Sequence, residues 1–181
     1  TLYRLQGEDE IINYTKADNT REPRNTGKTL HQGIEIGTTW NISDSYAQRL
    51  KLSGSVAEHE YRAFQPSTVL DHSGNTMPSA PKTFATLEYQ IKPLPELLLS
   101  AEGVYVASYW INDSNTVKYA GHTVLNLRAN YRKKAYEVYG QILNAADVDY
   151  AESTSFSNNQ ANYTPAAPRT FLLGLRYHFG E

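Results

Sequence analysis

The chain has 181 residues, no cysteine, and 17 basic against 19 acidic side chains, for a formal net charge of −2. This length suffices for one domain, and the missing cysteine excludes disulfides, thiolate nucleophiles and thiolate-bound metals. The balanced charge excludes a general electrostatic binder of nucleic acid, and no apolar run approaches the length of a transmembrane helix.

Apolar and polar side chains alternate with a period of two, which predicts β-strands and no helix. The clearest case is 169–179, where Phe171, Leu173, Leu175, Tyr177 and Phe179 share one face. A helix would mix Arg176 and His178 of the other face with these apolar side chains. The predicted strands are 1–14, 27–42, 46–61, 82–92, 97–111, 121–132, 135–146 and 167–179. In the first of them the alternation breaks at 7–10.

The predicted loops alternate between long and short. The long loops are 15–26, 62–81, 112–120 and 147–166, and the short ones are 43–45, 93–96 and 133–134. All long loops therefore lie at one end of the sheet, as in transmembrane β-barrels with short periplasmic turns and long extracellular loops. Strands of nine or more residues also suit a tilted membrane crossing.

The pattern therefore predicts an all-β fold, an antiparallel up-and-down transmembrane β-barrel segment of about eight strands. Its apolar faces meet lipid and its polar faces line a lumen. Two alternatives remain open. One is a complete eight-stranded outer-membrane barrel, structural or enzymatic, because eight strands match that size. The other is a soluble ligand-binding barrel with its apolar faces inside.

Four segments carry a distinctive residue pattern. The closing one has Pro168-Arg-Thr-Phe171 at its entry, then Gly174-Leu-Arg-Tyr177 and the aromatic Phe179. The others are NTGKTLHQGIE at 25–35, YAGHTVLNLR at 119–128, and EVYGQILN at 137–144 followed by Asp147 and Tyr150. In this order and spacing, the segments resemble the C-terminal barrel of TonB-dependent outer-membrane receptors.

The resemblance implies part of an active-transport receptor in the cell outer membrane for iron–siderophore or similar complexes. Residues 1–181 would be a C-terminal segment of its barrel, with the plug domain and TonB box absent from the segment. The implied partners are outer-membrane lipid, the rest of the barrel and plug, and the TonB complex through the N-terminal part. The barrel assembly machinery and an iron chelate as ligand complete the set, and no nucleic acid is expected.

Three sets of site residues follow from this interpretation. Aromatic residues at the extracellular mouth are candidates for holding an iron chelate or for forming an aromatic girdle: Tyr61, Phe64, Tyr119 and Phe156. Charged residues predicted to face the lumen would pair with one another or contact the plug: Glu35, Glu102, Arg128, Glu137 and Arg176. The last strand is a candidate assembly signal or simply a lipid-facing strand, through Phe171, Leu173, Leu175, Tyr177 and Phe179.

Catalytic and metal chemistry receive little support from the sequence. Asp71, His72 and Ser73 lie together in a long loop, but adjacent loop residues do not by themselves form a relay. The five histidines show no metal-ligand spacing. We therefore predict no catalytic residue, no metal site and no cofactor.

Overall fold

The computed structural model describes residues 1–179 and contains one large antiparallel sheet. Its eight strands are β1 (Leu2–Thr15), β2 (Arg21–Ser43), β3 (Gln48–Ala63), β4 (Thr83–Leu94), β5 (Leu97–Val106), β8 (His122–Lys133), β9 (Tyr136–Leu143) and β12 (Thr170–Tyr177). They pair in that order, each antiparallel to the next. The predicted all-β, up-and-down arrangement is confirmed. In the described part of the chain, no helix is long and apolar enough to cross a membrane.

Two short hairpins lie in two of the long connections of the sheet, those after β5 and after β9. The first pairs β6 (Tyr109–Trp110) with β7 (Lys118–Tyr119), so the predicted strand 97–111 is wrong beyond Val106, where β5 ends. The second pairs β10 (Ala151–Ser157) with β11 (Gln160–Pro165) inside the predicted loop 147–166. Its turn holds Asn158 and Asn159, both with positive φ, which is typical of a tight two-residue hairpin turn.

The predicted long loop 15–26 is wrong. β1 and β2 continue to pair up to Thr15 and Arg21, which leaves only a five-residue turn, 16–20. The Asp18 carboxylate closes this turn by accepting hydrogen bonds from the backbone N–H and the hydroxyl of Thr20, at 2.9 and 2.6 Å. The β2 residues in this part, 21–26, include no large apolar side chain on either face, so they give no strand signal in the sequence.

A bulge interrupts the first hairpin where the alternation breaks in the sequence. The β1–β2 register shifts between Gly7 and Glu10, and Asp9 between them has a φ of 56°. A second shift follows between Glu10 and Ile11, after which pairing continues from Ile11 with Asn25 in the register that Gly7 and Thr29 had. Bulges of this kind increase the local twist of a strand.

The large sheet has one apolar face. Rows of opposed residues cross it, such as Ile91, Leu99, Ala129, Gly140 and Leu173. The exposure of Leu173 is 84%, and nothing in residues 1–179 covers this face. An exposed apolar sheet of this extent is unfavourable in water and suits the hydrocarbon of a membrane. The apolar side chains therefore face lipid, and the buried cluster of Ile111, Tyr119 and Ala151 lies in the loops.

The sheet does not close on itself within residues 1–179. β1 pairs only with β2, and β12 pairs only with β9. This open arrangement contradicts the alternative of a complete, closed eight-stranded barrel. Each outer strand presents a row of unpaired backbone groups, which calls for a further strand at both edges.

Candidate functional site

Ion pairs join neighbouring strands on the polar face of the sheet. Arg128 on β8 donates from Nη2 to Glu102 on β5 at 2.8 Å, and Asn126 donates to the same carboxylate at 3.1 Å. The register places Glu35 on this face too, opposite Ser55 of β3. No ion pair to the Glu35 carboxylate is found among residues 1–179.

Glu137 is the centre of a second polar group near the short turns. Its carboxylate accepts hydrogen bonds from Asn130 Nδ2 at 2.7 Å and from Arg176 Nη1 at 2.9 Å. His178 Nε2 lies 3.2 Å from the same carboxylate. Only 11% of the Glu137 side chain is exposed, because these partners surround it. Four of the five predicted lumen charges thus form cross-strand ion pairs: Glu102, Arg128, Glu137 and Arg176.

At the opposite end, Tyr61 and Phe64 stack beside a cleft. Their ring centroids are 4.3 Å apart with an interplanar angle of 26°. The Tyr61 hydroxyl donates to Asp113 Oδ1 at 2.8 Å and so fixes the ring. The cleft has a volume of about 530 Å³, and its polar lining includes Arg21 and Lys28. Two of the four predicted mouth aromatics therefore lie together at an open cavity.

The other two predicted mouth aromatics have a different setting. The exposure of Tyr119 is only 9%, and Phe156 packs against the cluster that contains it. The Tyr119 hydroxyl lies 2.9 Å from His122 Nδ1 and accepts the Ala151 N–H at 3.1 Å. These contacts join the β6–β7 loop to the β10–β11 hairpin, so both rings are occupied by protein contacts.

A hydrogen-bonded latch between two loops was not predicted. Asn115 Nδ2 donates to the Thr76 carbonyl at 2.7 Å, and the Thr76 N–H donates back to Asn115 Oδ1 at 2.8 Å. Asn75 Nδ2 donates to the Asp113 carbonyl at 2.8 Å. The latch fixes the wall of the cleft that carries Asp113, and its partners lie 38 or 39 residues apart in the chain.

Two histidines meet on the polar face just below Tyr61. His31 on β2 and His59 on β3 are directly opposed, with their Nδ1 atoms 2.8 Å apart. His31 Nε2 lies 3.2 Å from Thr29 Oγ1, and the Thr29 hydroxyl donates to Glu10 Oε1 at 2.7 Å. The separation of 28 residues between the histidines conceals the pair in the sequence.

The Asp71, His72 and Ser73 segment is built as a loop corner. The Ser73 N–H donates to Asp71 Oδ1 at 2.9 Å, and Ser73 Oγ accepts the Phe64 N–H at 3.0 Å. Hydrogen bonding from Ser73 holds the pKa of the Asp71 carboxyl below its usual range. Because Ser73 Oγ is engaged by the backbone, these contacts position the loop behind Phe64.

The last strand presents its predicted residues to the lipid side. Phe171, Leu173 and Leu175 are exposed on that face. Nearer the short turns, the ring centroid of Tyr177 lies 5.0 Å from that of Tyr136 and 4.7 Å from that of Phe179. This edge-to-face cluster lies at the end of the apolar band, where transmembrane barrels carry an aromatic girdle.

Comparison with known families and proteins gives a consistent result. The family described as "TonB dependent receptor-like, beta-barrel" matches residues 1–145. The probable TonB-dependent siderophore receptor PiuA of Acinetobacter baumannii is 26% identical over 165 residues, which cover 86% of this chain and 21% of PiuA.

Solved structures share the fold. The crystal structure of PiuA superposes with a TM-score of 0.81 at 22% identity, over 97% of this chain and 25% of PiuA. The ferric yersiniabactin uptake receptor FyuA of Yersinia pestis gives 0.77 at 15% identity, over 97% of this chain and 26% of FyuA. The ferric-catecholate import receptor Fiu of E. coli gives a TM-score of 0.75 at 23% identity, over 98% of this chain and 24% of Fiu. The chain therefore spans about a quarter of the length of these proteins.

Proposed function

The chain belongs to the TonB-dependent receptor-like β-barrel family of the outer membrane, and on this basis we propose that it forms the C-terminal wall and mouth of a receptor that imports iron–siderophore or similar complexes. The observation that carries the proposal is the two-faced sheet with two free edges. Its apolar face suits lipid, and its ion-paired polar face suits the lumen of a barrel wider than eight strands. Outer-membrane transporters of about 22 strands have such a lumen, which a plug fills. The family is one of receptors, and we assign no catalytic role to any residue.

The remaining partners follow from the same proposal. Further barrel strands pair with the free edges of β1 and β12, and a plug domain contacts lumen side chains such as Glu35. The TonB complex acts through a part of the receptor outside these residues. The barrel assembly machinery reads the last strand through its outward residues, Phe171, Leu173, Leu175, Tyr177 and Phe179.

The stacked rings of Tyr61 and Phe64 are the proposed contact for the iron chelate. An aromatic chelate can stack on them, and such a contact contributes about 0.5–1.5 kcal/mol beyond the area buried. Arg21 and Lys28 line the same cleft and complement an anionic complex. Of the acidic residues in this lining, Asp113 is engaged by the Tyr61 hydroxyl.

Binding of a defined chelate to the full-length receptor tests this site. The probe is the ferric complex of 2,3-dihydroxybenzoate, titrated by calorimetry into wild type, Tyr61→Ala and Phe64→Ala. The loss of one stacking contact predicts about 3- to 10-fold weaker binding for each variant. Tyr46→Ala is the matched control, since Tyr46 is exposed at the short-turn end. Equal affinities for all four proteins would exclude these rings as the binding platform.

Uptake by cells tests the transport proposal separately. We expect accumulation of radioactive iron from a siderophore-fed, iron-starved culture to require both the full-length receptor and TonB. A receptor that binds the chelate but gives the same uptake without TonB would contradict active transport.

A further inference from the structure

A groove lies on the lipid face of the sheet, in the half near the short turns. Two small residues form its floor, Ala129 on β8 and Gly140 on β9, which are paired neighbours in one row. Leu99 on β5 and Leu173 on β12 continue this row on either side and form the walls. The groove has a volume of about 620 Å³. We propose that it binds one acyl chain of an anionic phospholipid whose phosphate lies at Lys133.

The groove exists because small side chains interrupt an otherwise bulky apolar face. In the next row towards the long loops, the same two strands carry Leu127 and Ile142, which close the groove at that end. A Cβ at Gly140 would have as its nearest contacts the Leu172 carbonyl oxygen at 3.8 Å and Leu173 Cδ1 at 4.0 Å. The space above Gly140 is therefore not filled by a neighbouring side chain. Atoms that line an empty hollow lose dispersion contacts, and a flexible hydrocarbon chain restores them.

The outward residues of β8 place an aromatic ring and a cation next to this groove. Because side chains alternate along a strand, Tyr131 and Lys133 share the face of Ala129. Tyr131 is 39% exposed and lies one row nearer the short turn. Lys133 ends β8 and is exposed, and its ammonium has no ion-pair partner within residues 1–179. The face thus changes from apolar to aromatic to cationic, which is the order that an acyl chain, a glycerol ester and a phosphate require.

The distance along β8 matches one lipid leaflet. Four residues of a strand span about 13 Å, so a tilt of about 35–45° places Ala129 about 9–11 Å deeper than Lys133. Half of a hydrocarbon core of about 30 Å accommodates this depth. The short turns of such barrels face the periplasm, so the lipid belongs to the periplasmic leaflet, which consists of phospholipids. An unpaired ammonium at the membrane surface favours an anionic headgroup over a zwitterionic one.

Native mass spectrometry of the full-length receptor tests the groove. The protein is delipidated in detergent and titrated with phosphatidylglycerol, and the affinity of the first bound lipid is measured. Gly140→Leu and Ala129→Leu fill the groove, and we expect about 10-fold weaker binding for each, as for the loss of two buried methylene groups. The proposal rests on the membrane location of the sheet, and this measurement does not depend on chelate transport.

The matched control is Gly103→Leu, which should bind the lipid like wild type. Gly103 lies on the same face of β5 outside the groove, and a Cβ there would meet only the Leu87 carbonyl oxygen, at 4.0 Å. Equal affinities of wild type and both groove variants would overturn the proposal. An equal loss in Gly103→Leu would do the same. A receptor dimer that is present in wild type and absent in Gly140→Leu would assign the groove to a second copy of the chain instead of a lipid.

Substitution of the cation tests the headgroup contact and remains informative if the groove variants fold poorly. Wild type should bind phosphatidylglycerol about 5-fold more tightly than phosphatidylethanolamine, and Lys133→Gln should abolish this preference. Lys82→Gln should retain it, since Lys82 lies at the long-loop end of the sheet, 3.2 Å from the Glu58 carboxylate. A preference for phosphatidylglycerol that persists in Lys133→Gln would refute the assigned headgroup contact and the site built on it.

Discussion

Gly33 and Gly37 lie four residues apart on the lumen side of β2, and the structure predicts opposite tolerance to a methyl group. A Cβ at Gly33 would lie 2.7 Å from the Val56 carbonyl oxygen and 3.0 Å from the Ala57 Cα, both backbone atoms of β3. A Cβ at Gly37 would meet nothing within 4 Å. Alanine is therefore excluded by packing at the first position only.

The cost of Gly33→Ala follows from this overlap. Ordinary van der Waals contact begins near 3.4 Å, so β2 and β3 must separate by several tenths of an ångström at a fully paired register. Overpacking of this kind typically costs about 1–3 kcal/mol. Gly37→Ala should change the free energy of unfolding by less than about 0.5 kcal/mol, as expected for an open position.

Unfolding of the full-length receptor in detergent provides the measurement. Urea titrations followed by circular dichroism compare wild type, Gly33→Ala and Gly37→Ala under one set of conditions. We expect a lower midpoint for Gly33→Ala alone, with an unchanged slope. Equal midpoints for the two variants would refute the argument from backbone contact. A lower midpoint for Gly37→Ala than for Gly33→Ala would also refute this argument.

Two further predictions concern the lipid face and the loop base. Leu173→Lys near the middle of the apolar band should destabilise the barrel in lipid vesicles by about 2–4 kcal/mol. Leu172→Lys on the lumen face should destabilise it much less. Equal losses of stability in the two variants would contradict the assigned faces. Asn144→Ala removes a buried amide that donates to the Val148 carbonyl and accepts the Val148 N–H, both at 2.9 Å. Each buried polar group left without a partner costs about 1–3 kcal/mol, so hydrogen exchange at the Val148 amide should become faster. Unchanged protection of this amide would argue against the role of the Asn144 side chain.

The predicted strands were recovered where one face was continuously apolar. The alternation in 167–179 is enough to assign the two faces of this strand, because a shift of one residue would place Leu173 and Leu175 in the lumen. The same reasoning failed at 15–26, because residues 21–26 of β2 carry no large apolar side chain on either face. It also missed the β10–β11 hairpin, although Asn158 and Asn159 carry a turn signal that could have indicated it.

The residues of the candidate site were likewise predicted only in part from the sequence. Four of the five predicted charges of the lumen wall, all except Glu35, form ion pairs, and strand alternation had already placed them on one face. Among the mouth aromatics, Tyr61 and Phe64 reach a cleft, while Tyr119 and Phe156 pack within the loops. Tyr61 ends a predicted strand, and the other three lie in predicted loops, where no periodicity indicates burial, so only the fold distinguishes the two pairs.

The sequence by itself determined the strand order, the polarity of the two faces and the family resemblance, because side-chain direction alternates strictly along a strand. The tertiary structure alone decided which distant residues touch. His31 meets His59, Asn115 meets Thr76, and Gly33 meets the backbone of β3 through contacts between segments far apart in the chain. Such contacts depend on register, bulges and loop packing, which set distances to a fraction of an ångström and which local residue patterns do not encode.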